Sequence, residues 1–109
     1  MEVVEVNVTY NSKIVKFLFL PNITGVTFGT KIFFRKEAKD VSIITLNHEL
    51  IHVCQYLKAG GIFNFLFKYL IKEFFKPYRK KTAEIEAYAR QEDFTYIQKA
   101  YPEYILKIK

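Results

Sequence analysis

Both histidines of this 109-residue chain fall within one pentapeptide, His48-Glu49-Leu50-Ile51-His52. On an α-helix, positions four apart differ by about 40° in azimuth and about 6 Å in rise, so the two imidazoles can reach one cation. Glu49 is turned about 100° from His48 and about 60° from His52. Its carboxylate then sits beside such a cation instead of on it, where it can take a proton from a bound water. A five-residue pattern can recur by chance, but this one lies in an amphipathic segment and uses every histidine the chain has. Its face is also distinct from the Leu46/Leu50/Val53 stripe, so core packing does not account for it.

Catalytic zinc sites use three protein ligands and leave one position to water, so a third ligand must come from another element. Cys54 is about 160° round the helix from His52; it reads as a small buried hydrophobe. The stretch Ala83-Glu84-Ile85-Glu86-Ala87-Tyr88-Ala89 offers two carboxylates. Glu84 shares a helical face with Ala87, Tyr88 and Gln91, and small Ala87 would let this helix approach the first closely. Glu86 points about 200° away, with Arg90 and Asp93, on a face that reads as charged and solvated. Glu84 is the expected third ligand, and Glu86 the alternative.

The elements that must carry these residues follow from periodicity. Residues 1–35 read as a sheet. Val4, Val6, Val8 and Tyr10 alternate with polar residues, Ile14–Leu20 is an apolar second strand, and Val26–Arg35 is a third, with a bulge or bend at Gly29. From 40 to 59 the period becomes helical, with Asp40 or Ser42 as cap, a stripe of Ile43, Leu46, Leu50, Val53 and Leu57, and Gly60-Gly61 as stop. An aromatic helix over 62–76 has Phe63, Leu66, Phe67, Leu70, Ile71 and Phe74 as its inner stripe, with Phe65 and Tyr69 off it. A glutamate helix over 82–100 starts at Thr82, and 101–109 form a short tail. The fold class is α+β, a small three-stranded, mainly antiparallel sheet followed by three helices in one domain.

Composition narrows the function classes. The chain is 50% hydrophobic and 26% charged, with 11 Phe, 8 Tyr and no Trp, a balance that disordered chains lack. The net charge is +6, but the lysines are spread along the chain and only Arg35, Arg79 and Arg90 supply guanidinium forks, so no nucleic-acid partner is expected. No apolar run reaches the roughly 20 residues of a membrane span. A single cysteine excludes an internal disulfide, Glu2 and Glu5 interrupt any signal-like stretch, and the expected compartment is the cytoplasm.

His48-Glu49-x-x-His52 followed by Glu84-x-x-Ala87 resembles the gluzincins, zinc metallopeptidases of the thermolysin type. The short length and the order sheet, active-site helix, glutamate helix look most like the minigluzincins, single-domain versions of that scaffold. The resemblance implies Zn2+ held by His48, His52 and Glu84, with Glu49 as general base, acting on a peptide or unfolded protein. It also implies that the strand before the active-site helix, about Lys31 to Phe34, lines the cleft and pairs with an extended substrate. Many gluzincins carry an Asp four residues after the ligand glutamate; here that position is Tyr88. The group that stabilises the oxyanion stays open among Tyr56, Tyr78, Tyr88 and Arg79. With no room for a second subdomain, activity is expected to be weak or latent, and the tail, returning to the Lys31–Phe34 edge of its own or a neighbour's cleft, is the expected blocking segment. The alternative is a zinc-binding module that self-associates, through the aromatic helix or the tail, without catalysis.

Overall fold

The computed structural model describes residues 2–65 and 82–109. Strand β1 (Glu2–Thr9) alternates as expected: Val4 and Val6 are buried while Val3, Glu5 and Asn7 face out. Asn11, in the left-handed region at φ 51°, ends the extended run. The next segment corrects the expected second strand, because residues Lys13–Leu18 form a short helix, α1. Ser12 caps it by accepting from the Val15 amide, and Arg35 secures its far end. The Arg35 guanidinium donates to the carbonyls of Val15 (3.0 Å), Phe19 (3.1 Å), Leu20 (2.9 Å) and Ile23 (2.9 Å). A short apolar run fits strand or helix equally well, and here a distant cation decides.

The expected third strand is a hairpin, β2 (Gly25–Phe28) and β3 (Lys31–Phe34), paired antiparallel from Gly25↔Phe34 to Phe28↔Lys31. Gly29, at φ 62°, is therefore its tight turn and not a bulge. The chain returns at its end as β4 (Tyr104–Ile108), which runs parallel to β1 from Glu2↔Tyr104 to Val6↔Ile108. The sheet thus has four strands in the order β2-β3-β1-β4, and it is mixed, since β1 pairs parallel with both neighbours. Two expectations fall with this topology. β3 lies between β2 and β1 and has no free edge, and the tail is a strand on the far side of the sheet from β2. Glu103, which precedes β4, pairs with Lys58 at 3.1 Å.

After a turn of 3-10 helix (Ala38–Asp40), helix α2 (Ile43–Lys58) crosses the sheet, with Ser42 and not Asp40 as its cap. Leu46, Leu50, Val53 and Leu57 pack on a core of Val6, Ile32 and Phe34, whereas Ile43, expected in the same stripe, is exposed. A four-residue helix, α3 (Ile62–Phe65), follows. Phe65 is the inward residue there, its ring 4.2 Å from that of Tyr56, and Phe63 faces out, the reverse of the expected stripe. The rest of the aromatic helix, with Tyr78 and Arg79, lies outside the described residues.

The glutamate helix is two helices, α4 (Thr82–Arg90) and α5 (Tyr96–Ala100). Their junction is fixed by tertiary bonds. Asn47 of α2 donates to the carbonyls of Gln91 at 2.8 Å and Asp93 at 3.3 Å, and the Asp93 side chain accepts from the Thr95 amide at 3.0 Å. Among the described residues no helix is long and apolar enough to cross a membrane.

Because β4 covers one whole side of β1, deleting residues 103–109 should destabilise the domain instead of freeing the cleft. Thermal unfolding should show Tm lowered by about 10 °C or more, the equivalent of roughly 2 kcal/mol. An unchanged Tm would mean that β4 adds nothing to the sheet.

Candidate metal centre

The face of α2 opposite the sheet is polar and buried. His48, Glu49, His52 and Gln55 are all less than a tenth exposed, as is Glu84 on the facing helix α4. Fully buried Ala87, one turn beyond Glu84, keeps that helix close to α2. The Nε2 atoms of His48 and His52 are 3.2 Å apart. His48 Nε2 lies 3.6 Å from Glu84 Oε2, and His52 Nε2 is in direct contact with Glu84 Oε1. The three side chains offer ligand atoms that all lie within 4.8 Å of one another, close enough to bind one metal ion. Glu84 Oε2 is buried with no hydrogen-bond partner among the described residues. Two imidazole nitrogens and an unmet carboxylate oxygen facing one point fit a divalent cation of borderline softness.

Glu49 stands beside this triad, as its helical phase predicts. Its Oε2 is 4.0 Å from His48 Nε2, while Oε1 accepts from the Thr27 hydroxyl at 2.9 Å. Burial raises the Glu49 pKa above the ordinary carboxylate value, against the opposing pull of His52, His48 and Thr27. Burial disfavours the imidazolium of His52, but the Glu84 hydrogen bond and the Glu49 charge outweigh it and raise the pKa above 6.5. Burial also opposes the Glu84 carboxylate, yet the His48 and His52 rings lower its pKa to about 2. Cys54 is fully buried and its thiol is pushed up to about 12, mainly by burial, which suits the packing role expected of it.

The groups that orient the histidines were not found from the sequence. His48 Nδ1 lies 3.0 Å from Gln91 Oε1, and His52 Nδ1 lies 2.7 Å from Gln55 Oε1, so both rings are aimed by glutamine amides. Tyr88 sets its ring against His48 with centroids 4.6 Å apart. Spacing held the signal, since Gln55 is one turn from His52 and Gln91 shares the Glu84 face, but glutamine has no composition signature of its own. Glu86 corrects the expectation of a solvated carboxylate: it is half-buried and accepts from Gln55, Tyr96 and Tyr101. It is turned away from the ligand set, which contains Glu84.

A cleft of about 180 Å³ opens onto His48 and Glu49, walled by Asn22–Gly25 on one side and by Tyr88 and Gln91 on the other. The wall is the approach to β2, not Lys31–Phe34. Gly25 has a steric role there, because a Cβ would stand 2.9 Å from the buried Phe34 ring and 3.6 Å from Glu49 Cδ. Of the oxyanion candidates, Tyr88 lines the cleft and Tyr56 does not; the Tyr56 hydroxyl donates to the Thr27 carbonyl at 3.0 Å. Compared with family models, curated proteins and solved structures, the chain has no match.

Two predictions come from this geometry. Glu84→Ala should weaken zinc binding by more than the roughly 10–100-fold typical of a residue that only orients a ligand, and by far more than Glu86→Ala. Chelator competition on both variants checks the order, and equal losses would reject Glu84 as the third ligand.

The second concerns pH. His52 has a raised pKa, so its pairing stabilises the metal-free fold fully below pH 6.5 and is lost as pH rises through the folded-state value. Glu84 has a lowered pKa, so its contribution is present above the ordinary carboxylate range and is lost as pH falls towards about 2. Metal binding requires neutral imidazoles, so zinc affinity should fall by about tenfold per pH unit once His52 is protonated. Raising pH from 6 should therefore lower Tm without zinc and raise it with zinc. Parallel curves would show that no ligand proton is exchanged for the metal.

Proposed function

We propose that the chain is a minimal zinc-dependent peptidase, a hydrolase of the gluzincin type, with His48, His52 and Glu84 holding the ion and Glu49 as general base. The observation that carries this is the convergence of three buried side chains, one with an oxygen unmet among the described residues, beside a second buried carboxylate, Glu49, fixed by Thr27. Zinc bound there supplies a Lewis acid that polarises a carbonyl and brings the pKa of a water from 15.7 to about 7.

The protein's own groups do the rest. The Thr27 hydroxyl holds one Glu49 oxygen and leaves Oε2 toward the histidine pair. The raised pKa lets Glu49 keep a proton long enough to return it to a leaving amine. β2 is an edge strand of the sheet, and an extended peptide can add to it as a further strand with its scissile bond over the cleft. Tyr88 lines the cleft and is the described candidate for stabilising a developing oxyanion. A cleft of about 180 Å³ holds little more than a side chain, which suits weak binding and modest activity.

Phe17, Leu18 and Leu20 are more than two-thirds exposed on and after α1, which favours the second reading, a zinc-binding module that self-associates. Glu49→Gln separates the two. It should retain zinc within a small factor while cleavage of an unfolded protein falls by roughly 10²–10⁴. Zinc-loaded wild-type protein that cleaves no unfolded substrate would leave the module as the function, and loss of zinc on Glu49→Gln would reject its role as a base outside the ligand set.

A further inference from the structure

Gln55 connects the histidine pair to the C-terminal part of the chain. It is buried on α2, one turn beyond His52. Its Nε2 donates to the Ala83 carbonyl at 2.9 Å and to Glu86 Oε1 at 2.7 Å. Both partners are acceptors, so the amide has one admissible orientation, with its oxygen toward His52. That oxygen lies 2.7 Å from His52 Nδ1. An amide oxygen accepts only, so Nδ1 carries a proton and Nε2 is the nitrogen turned to Glu84 and His48. Glu86 is itself held from the other side. The Tyr101 hydroxyl donates to its two oxygens at 2.9 and 2.8 Å, and the Tyr96 hydroxyl donates to Oε2 at 2.5 Å.

We infer that Glu86 is a positioning residue of the metal centre, orienting His52 through the Gln55 amide so that Nε2 is presented to the cation. This rests on the metal reading proposed above. A carboxylate is required because three donors converge on its two oxygens. An amide at position 86 would offer a single acceptor oxygen and turn an NH₂ group toward groups that already donate. Gln55 would keep only the Ala83 carbonyl to hold its amide, and the His52 Nδ1 proton would face a less firmly held acceptor. The same contacts tie α5 and Tyr101, which lead into β4, to the ligand set, so the end of the chain sets a ring angle at the metal.

The test combines ring-¹⁵N NMR with chelator competition. Solvent exchange of the His52 Nδ1 proton is followed in metal-free and zinc-loaded protein. Glu86→Gln should speed that exchange at least about tenfold and weaken zinc binding roughly 10–100-fold. The double variant Tyr96→Phe/Tyr101→Phe leaves Glu86 and Gln55 in place and removes only the anchors; it should shift both readouts the same way by less, and it decides the matter if Glu86→Gln does not fold. Unchanged exchange in the variants that fold would overturn the inference, as would zinc loss with the proton still protected. If wild-type protein binds no zinc, the metal reading fails, while exchange in the metal-free protein still tells whether Glu86 orients His52.

Discussion

A carboxylate oxygen buried without a donor costs about 1–3 kcal/mol, and among the described residues Glu84 Oε2 has none. Its neighbours hold the carboxyl in its charged form, so it cannot relieve the cost by taking a proton in the neutral range. Relief must come from positive charge placed between Glu84 and the two rings. Either His52 carries a proton, which its raised pKa favours, or a cation sits on the Nε2 atoms. Proton and metal would thus compete for the same Nε2 atoms, and the surrounding packing fixes where those atoms lie.

That packing comes from one helix with two buried faces. α2 presents Leu46, Leu50, Val53 and Leu57 to the sheet, and Asn47, His48, His52 and Gln55 to α4. A polar face can be buried only if its groups are paired. Asn47 takes two carbonyls at the end of α4, Gln91 takes His48, and Gln55 spans from His52 to the start of α4 and to Glu86. These bonds fix where α4 stops and how it faces α2, so the helix junction and the ligand geometry have the same cause.

What could be read from the sequence divides along the range of the forces. The cluster of His48, His52 and Glu84 with Glu49 beside it was legible because spacing on a helix dictates azimuth, and the azimuths of Glu84 and Glu86 put only Glu84 toward the histidines. The sequence pattern failed for Glu86 in another respect: an amphipathic wheel shows α4 alone, not Tyr96 and Tyr101 returning from α5 to cover it. Ile14–Leu20 was misassigned because its conformation depends on Arg35, which satisfies carbonyls as much as 20 residues earlier. β4 is a strand only because β1 is there to pair with it, and parallel pairing leaves no turn signature between the partners.

Thr27 makes Glu49 and the cleft wall one mechanical unit. Its hydroxyl holds Glu49 Oε1, and its carbonyl accepts from Tyr56, which is on α2 two turns after Glu49. Strand β2 is therefore pinned to α2 at two heights, at Glu49 and two turns later at Tyr56. A peptide added to the outer edge of β2 would take its register from a strand that cannot slide without pulling Glu49 with it. In the proposed peptidase, this coupling would supply part of the alignment between substrate and Glu49. Gly25 extends the same arrangement to the cleft mouth, where the backbone passes too close to Phe34 and Glu49 for any side chain to intervene.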